Sequence, residues 1–82
     1  MAEYVATFFT HLGALRSGKS LEEHGVHAFL APVPRKLSSS CGTCVVYEGH
    51  DPVLEWLDTD AEAVYLRESG RSYRLIYENP QK

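Results

Sequence analysis

An α+β fold is predicted for this chain: a two-layer sandwich of ferredoxin-like character, ordered strand, helix, strand, strand, helix, strand, strand (βαββαββ). Three observations predict it. Aromatic and β-branched runs at residues 4–9, 26–31, 43–48, 62–67 and 72–78 suit strands. Helix-type apolar spacing appears only between Thr10 and Gly25 and again after Asp51-Pro52. Strand–helix–strand succession favours a sheet with helices packed on it. Two helices are too few to cover both faces, so the other sheet face is expected to be open or used for association.

Each element has its own signal. Tyr4-Val5-Ala6-Thr7-Phe8-Phe9 opens the chain as a strand. Thr10 suits a helix cap, and Gly25 sits where a left-handed stop is wanted. Between them Leu12, Leu15, Gly18 and Leu21, with Ala14, are expected to form the packed face. Gly18 lowers helix propensity by about 1 kcal/mol relative to Ala; close packing on the sheet or simple tolerance accounts for it. Val26 to Ala31 reads as a second strand and Thr43 to Glu48 as a third. Asp51-Pro52 pairs a good cap with the helical position that accepts proline. Val53, Leu54, Trp56 and Leu57 are then the apolar face of a short second helix, with Trp56 in the core. The last two strands are joined by Glu68-Ser69-Gly70-Arg71, a hairpin signature. Tyr65, Tyr73 and Tyr77 are placed on the open face.

Size and charge narrow the function classes. The chain has 82 residues and is read as one domain, 1–82, with a core from about 4 to 78. A formal net charge of −3 argues against bulk nucleic-acid affinity. Arg67, Arg71 and Arg74 straddle the hairpin amid acids and are a weak signal for RNA. There is no apolar run long enough to span a membrane. Met1-Ala2-Glu3-Tyr4 carries no basic patch before an apolar core, so a secretory signal is not expected. Two cysteines and no export signal point to a reducing cytoplasm, where a close pair is seldom a structural staple. Five tyrosines and an open sheet face allow a homodimer.

The chemistry is expected in residues 32–44. Pro32-Val33-Pro34 begins a stiffened connection. From Pro32 through Tyr47 the chain carries Arg35 and Lys36 and no acid; Glu48, Asp51, Glu55, Asp58, Asp60 and Glu62 then follow without a cation. A thiol in the first stretch is therefore expected in a positive setting, which lowers a cysteine's pKa. Ser38, Ser39, Ser40 and Gly42 add small side chains and amides able to form an anion-binding concavity. Cys41, after three serines and before a glycine, is the candidate nucleophile. Cys44, entering a strand beside Val45 and Val46, reads more readily as a small buried hydrophobe. Cys41-Gly42-Thr43-Cys44 is also a Cys-x-x-Cys motif, but a strand follows it rather than the helix a thioredoxin-like motif opens. A metal is not expected, because His11, His24, His27 and His50 lack paired-ligand spacing. Asp58 and Asp60 read as a solvated acidic turn rather than an acid/base pair.

Pro32-Val33-Pro34-Arg35 followed by Leu37-Ser38-Ser39-Ser40-Cys41-Gly42 resembles a family of small bacterial proteins, the selenium/sulfur carrier-like proteins. The strand Tyr4–Thr10, Ala14-Leu15 and Gly25 match its opening, and the resemblance covers roughly residues 4–66. It implies a persulfide or perselenide on Cys41, with Arg35 at the basic position that favours the thiolate. It implies no cofactor, and a carrier rather than a turnover enzyme. The partners it implies are a cysteine desulfurase-type donor and a protein acceptor. Cys44 stands where the family often has a small apolar residue, and either fills that place or supplies a resolving thiol. Two other classes stay open: a non-catalytic interaction or small-ligand module, and a thiol–disulfide redox protein using Cys41 and Cys44.

Overall fold

The chain folds as β1 (Ala2–Phe8), α1 (His11–Glu23), β2 (Ala28–Pro32), β3 (Thr43–Gly49), a single 3-10 turn (Leu54–Trp56), β4 (Ala61–Ser69) and β5 (Ser72–Glu78). These elements come from a computed structural model that describes residues 1–70 and 72–80. The strands form one sheet in the order β2-β3-β1-β4-β5, antiparallel throughout. β1 and β2 therefore run in the same direction with β3 between them, a split β-α-β unit. β1 is central, paired on both edges.

Alternation sorts the sheet into two faces. Tyr4, Ala6 and Phe8 of β1, Val45 and Tyr47 of β3 and Val64 of β4 share the face under α1. Of these, Phe8, Val45, Tyr47 and Val64 are at most 1% exposed, and Leu21 of α1 closes over them at 0%. Each such side chain contributes roughly 1.5–3 kcal/mol of burial, so this layer holds the fold. Thr10 caps α1 as expected, its Oγ1 accepting from the Gly13 amide at 3.1 Å. Gly25 follows at φ +79°, the left-handed stop.

The packed face of α1 differs from the expected one. Gly13, Ala14, Ser17 and Leu21 are buried, whereas Leu12 and Leu15 are 52% and 44% exposed. Small residues were needed on the buried side because Asp60 reaches the helix start. A Cβ at Gly13 would collide with its carboxylate. That carboxylate accepts from the Thr10 amide at 2.8 Å and Thr10 Oγ1 at 2.7 Å. Asp58 in turn accepts from the Asp60 amide at 3.1 Å, and its own amide donates to Ser17 Oγ at 2.8 Å. The two aspartates are thus structural caps rather than a solvated turn. Gly18 is not demanded by close packing, since a Cβ there would meet only Leu30 at 4.0 Å.

The second helix is replaced by the 3-10 turn, so the order βαββαββ is not realised. Asp51 Oδ1 accepts from the Val53 amide at 2.7 Å, a local turn that competes with helix initiation. Val53 sits at φ 43°, ψ 51°, left-handed and unusual for a β-branched residue, and Leu57 is already extended. Between them too few residues remain to offset the cost of nucleating an α-helix. Trp56 is half-buried against the core and stacks on His24 with ring centroids 4.1 Å apart.

The second sheet face is not simply open. The loop from Val33 to Gly42 folds back over part of it. Beneath lie Thr7 and Cys44, both 0% exposed and directly paired, with Val5 and Ala63 nearly as buried. Tyr65 and Tyr73 lie on this face, but Tyr77 pairs with Val64 and packs on the helix side. At the hairpin, Arg67 is paired with Glu3 at 2.7 Å and Arg74 with Glu68 at 3.2 Å, so these two do not form a bare basic edge. Arg71 lies outside the described residues. No helix among the described residues is long and apolar enough to cross a membrane.

Candidate functional site

The 33–42 loop is closed at its base, where the Val33 amide donates to the Gly42 carbonyl at 3.1 Å. Compact loops with joined ends hold a shape of their own. Three further ties seat it. Leu37 N donates to Pro34 O at 3.0 Å, closing a tight turn at Arg35-Lys36. Ser39 Oγ donates to Phe8 O at 3.4 Å. Ser40 donates through both its amide and its hydroxyl to the two oxygens of Glu62, at 3.1 and 3.0 Å.

Cys41 stands at the return of this loop, half-buried against the helix-side core. Its amide donates to Ser39 Oγ and its Sγ to Thr43 O, each at 3.4 Å. Gly42 follows at φ +78° with nothing within 4 Å of a Cβ position. Its glycine is therefore a requirement of backbone conformation, not of space, and it sets the direction in which Cys41 is presented. His11 reaches the same residue from the start of α1, with Nδ1 3.2 Å from Thr43 Oγ1.

Cys44 has the opposite setting. It is 0% exposed on β3, and its Sγ donates to Pro32 O at 3.7 Å. Burial, with the neighbouring Cys41 adding to it, pushes its thiol up from 9.0 to about 11. This sulfur stays protonated at neutral pH.

The expected anion-binding concavity is occupied from within. The amide of Ser40 is taken by Glu62 and that of Cys41 by Ser39, while Ser38 is exposed. Nor is the setting uniformly positive, since Glu62 brings a carboxylate to the residue before Cys41. Arg35 and Lys36 lie elsewhere on the loop, lining a cavity of about 390 Å³ with Pro34 and Tyr73; Cys41 is not in its wall. Among the described residues no group of three or more His, Cys, Asp or Glu is placed to hold a metal.

Glu62, Thr43 and His11 were not visible as site residues in the sequence. Glu62 is 22 positions from Ser40 and His11 is 32 from Thr43, so only the sheet brings them together. The single local hint was the position of His11, directly after the cap that starts α1.

No curated protein and no solved structure matches this chain. A sequence model of one family does match, from residue 3 to residue 60, a span that takes in β1, α1, β2, the cysteine loop and β3 and stops just before β4. With the greater part of its length matched, the chain belongs to the family described as putative Se/S carrier protein-like.

Proposed function

We propose that this protein carries a sulfur or selenium atom on Cys41 and relays it from a donor protein to an acceptor. The observation that carries the reading is the contrast in access at the loop. Cys41 is presented at the end of a closed loop by a left-handed glycine, while the other thiol is sealed under it. Family membership supplies the cargo class.

The chemistry balances without a cofactor. Cys41 releases the proton it now shares with Thr43 O, and its thiolate attacks the terminal sulfur of a donor persulfide. A new S–S bond forms on Cys41 as the donor S–S bond breaks, and the donor cysteine leaves as a thiolate. An acceptor thiolate then takes the terminal sulfur by the same exchange and returns Cys41 to its starting state. Replacing the terminal sulfur by selenium leaves this balance unchanged. A cysteine desulfurase is the donor class whose product is such a persulfide.

Cys44 takes no part in this scheme. Its fully buried sulfur and raised pKa make it a packing residue, and a resolving role would require the Pro32 end of β2 to open. The test is incubation with a cysteine desulfurase and radiolabelled cysteine. Protein-bound label that dithiothreitol releases is expected for the native chain and for Cys44→Ala, and none for Cys41→Ser. Equal labelling of Cys41→Ser overturns the proposal, because the label would then sit on Cys44; no labelling of the native chain overturns it as well and favours a non-catalytic interaction module.

A further inference from the structure

We infer that Pro34, Arg35, Lys36 and Tyr73 form a binding site for a small organic anion with a flat apolar body, such as an aromatic carboxylate. The site is separate from Cys41, and the inference does not depend on the carrier reading. It begins with topology. The Pro34–Leu37 turn, held by the 3.0 Å bond between Leu37 N and Pro34 O, lies against Tyr73 of β5. β5 is the strand at the far edge of the sheet from β2, where the loop originates. The cavity between them is about 390 Å³, toward the lower end of the range of roughly 300–1,000 Å³ typical of small-molecule sites.

Charge supplies the second observation. Neither Arg35 nor Lys36 meets a carboxylate within ion-pair distance among the described residues. Tyr73 pairs across the hairpin with Arg67, but the acid on that row, Glu3, is already held by Arg67 at 2.7 Å. Glu68 is held by Arg74 at 3.2 Å. On a chain of net charge −3, two adjacent unneutralised cations at the mouth of one cavity form a local positive site.

The walls supply the third. Pro34, half-buried Tyr73 and the exposed Arg35 and Lys36 line the cavity, and a long cationic side chain can lay its aliphatic stem along a wall while its charged end stays in water. An aromatic ring lies against Tyr73 and Pro34, and its anionic group meets the guanidinium or ammonium. A single phosphate or sulfate would leave the apolar walls wet, and a neutral arene would leave the cations unmet.

Naphthoate serves as the probe, titrated at low ionic strength and followed by amide and Tyr73 ring shifts in NMR. Saturable shifts confined to residues 35–37 and 73 are expected in the native chain and in Cys41→Ser alike. The doubly substituted Arg35→Gln, Lys36→Gln chain should bind about tenfold more weakly or worse, the loss expected of charge-assisted hydrogen bonds. Neutral naphthalenemethanol should be weakened similarly, and Tyr73→Leu should lose affinity while keeping the preference for the anion. Unchanged amide dispersion elsewhere shows that the variants are folded. Absence of saturable shifts at 35–37 and 73, or equal binding of the neutral analogue, overturns the inference. Retained binding in the double variant overturns it as well.

Discussion

Cys41 and Cys44 stand three positions apart on one stretch of chain, and the fold gives them opposite surroundings. Cys41 lies on the loop side of Gly42, whose left-handed backbone turns the chain before the strand begins. Cys44 lies one residue inside β3, where alternation points it to the second sheet face, under the loop and against Pro32 O. The loop thus has two roles at once. It presents one sulfur and lids the other. A Cys-x-x-Cys motif read on its own suggests a redox pair, whereas the position of the strand boundary inside the motif separates its members.

The largest effect that sharpens this contrast is on sulfur transfer itself. Cys41→Ser should abolish label uptake, whereas Cys44→Ala should stay within about twofold of the native rate, since a packing residue contributes nothing to the exchange. Loss of transfer in Cys44→Ala, with the fold intact by circular dichroism, would break the comparison.

The next effect is on stability against pH. A thiol raised to about 11 in the folded chain and near 9.0 in the unfolded chain stabilises the fold fully below about pH 9. That stability is lost as pH rises toward about 11, because the unfolded chain gives up its proton first. The loss is roughly 2–3 kcal/mol across that window. Tyr47 works in the same direction, its phenol pushed up by burial and then by Tyr4 and Asp51. Urea denaturation at about pH 8 and about pH 11 should show a smaller alkaline loss for Cys44→Ala than for the native chain, because Tyr47 is common to both. Identical losses would mean that Cys44 is not held as a buried thiol.

Two glycines with nearly the same backbone make the third test. Gly42 and Gly25 have φ of +78° and +79°, and neither has an atom within 4 Å of a Cβ position. Alanine at either should cost about 1–2 kcal/mol through the left-handed conformation alone. Only Gly42→Ala should also slow sulfur transfer, because only Gly42 aims Cys41. Equal transfer rates in the two variants would detach the loop geometry from function. The smallest expected effect is at Gly18, where alanine fits beside Leu30 and should stabilise the chain by about 0.5–1 kcal/mol without altering transfer.

Much of this arrangement was legible before the structure. Five strands, the Thr10 cap, the Gly25 stop and the deeper burial of Cys44 than of Cys41 all follow from local residue chemistry. The features that were not legible are tertiary. Leu12 and Leu15 look like the core face of α1 by spacing, yet Asp60 reaches in from before β4 and requires Gly13 on the buried side. The segment after Asp51-Pro52 carries a helix's cap and apolar spacing, but Asp51 bonds the Val53 amide and the backbone turns left-handed before a helix can propagate. Around Cys41, the charge run Arg35-Lys36 suggests a positive setting. The sheet instead delivers Glu62 to Ser40 and carries the cations to Tyr73. Long-range pairing decides each of these cases, and no local pattern encodes it.

Which sulfur bears the cargo decides between relay on Cys41 and its alternatives, and peptide mass spectrometry after loading by a cysteine desulfurase answers that directly. Alkylating the loaded protein under non-reducing conditions and digesting between the two cysteines' adducts by fragmentation assigns the added atom to one residue. Relay through Cys41 predicts an extra sulfur on Cys41 alone, in the native chain and in Cys44→Ala. An extra sulfur on Cys44, or a Cys41–Cys44 disulfide as the main product, would contradict it.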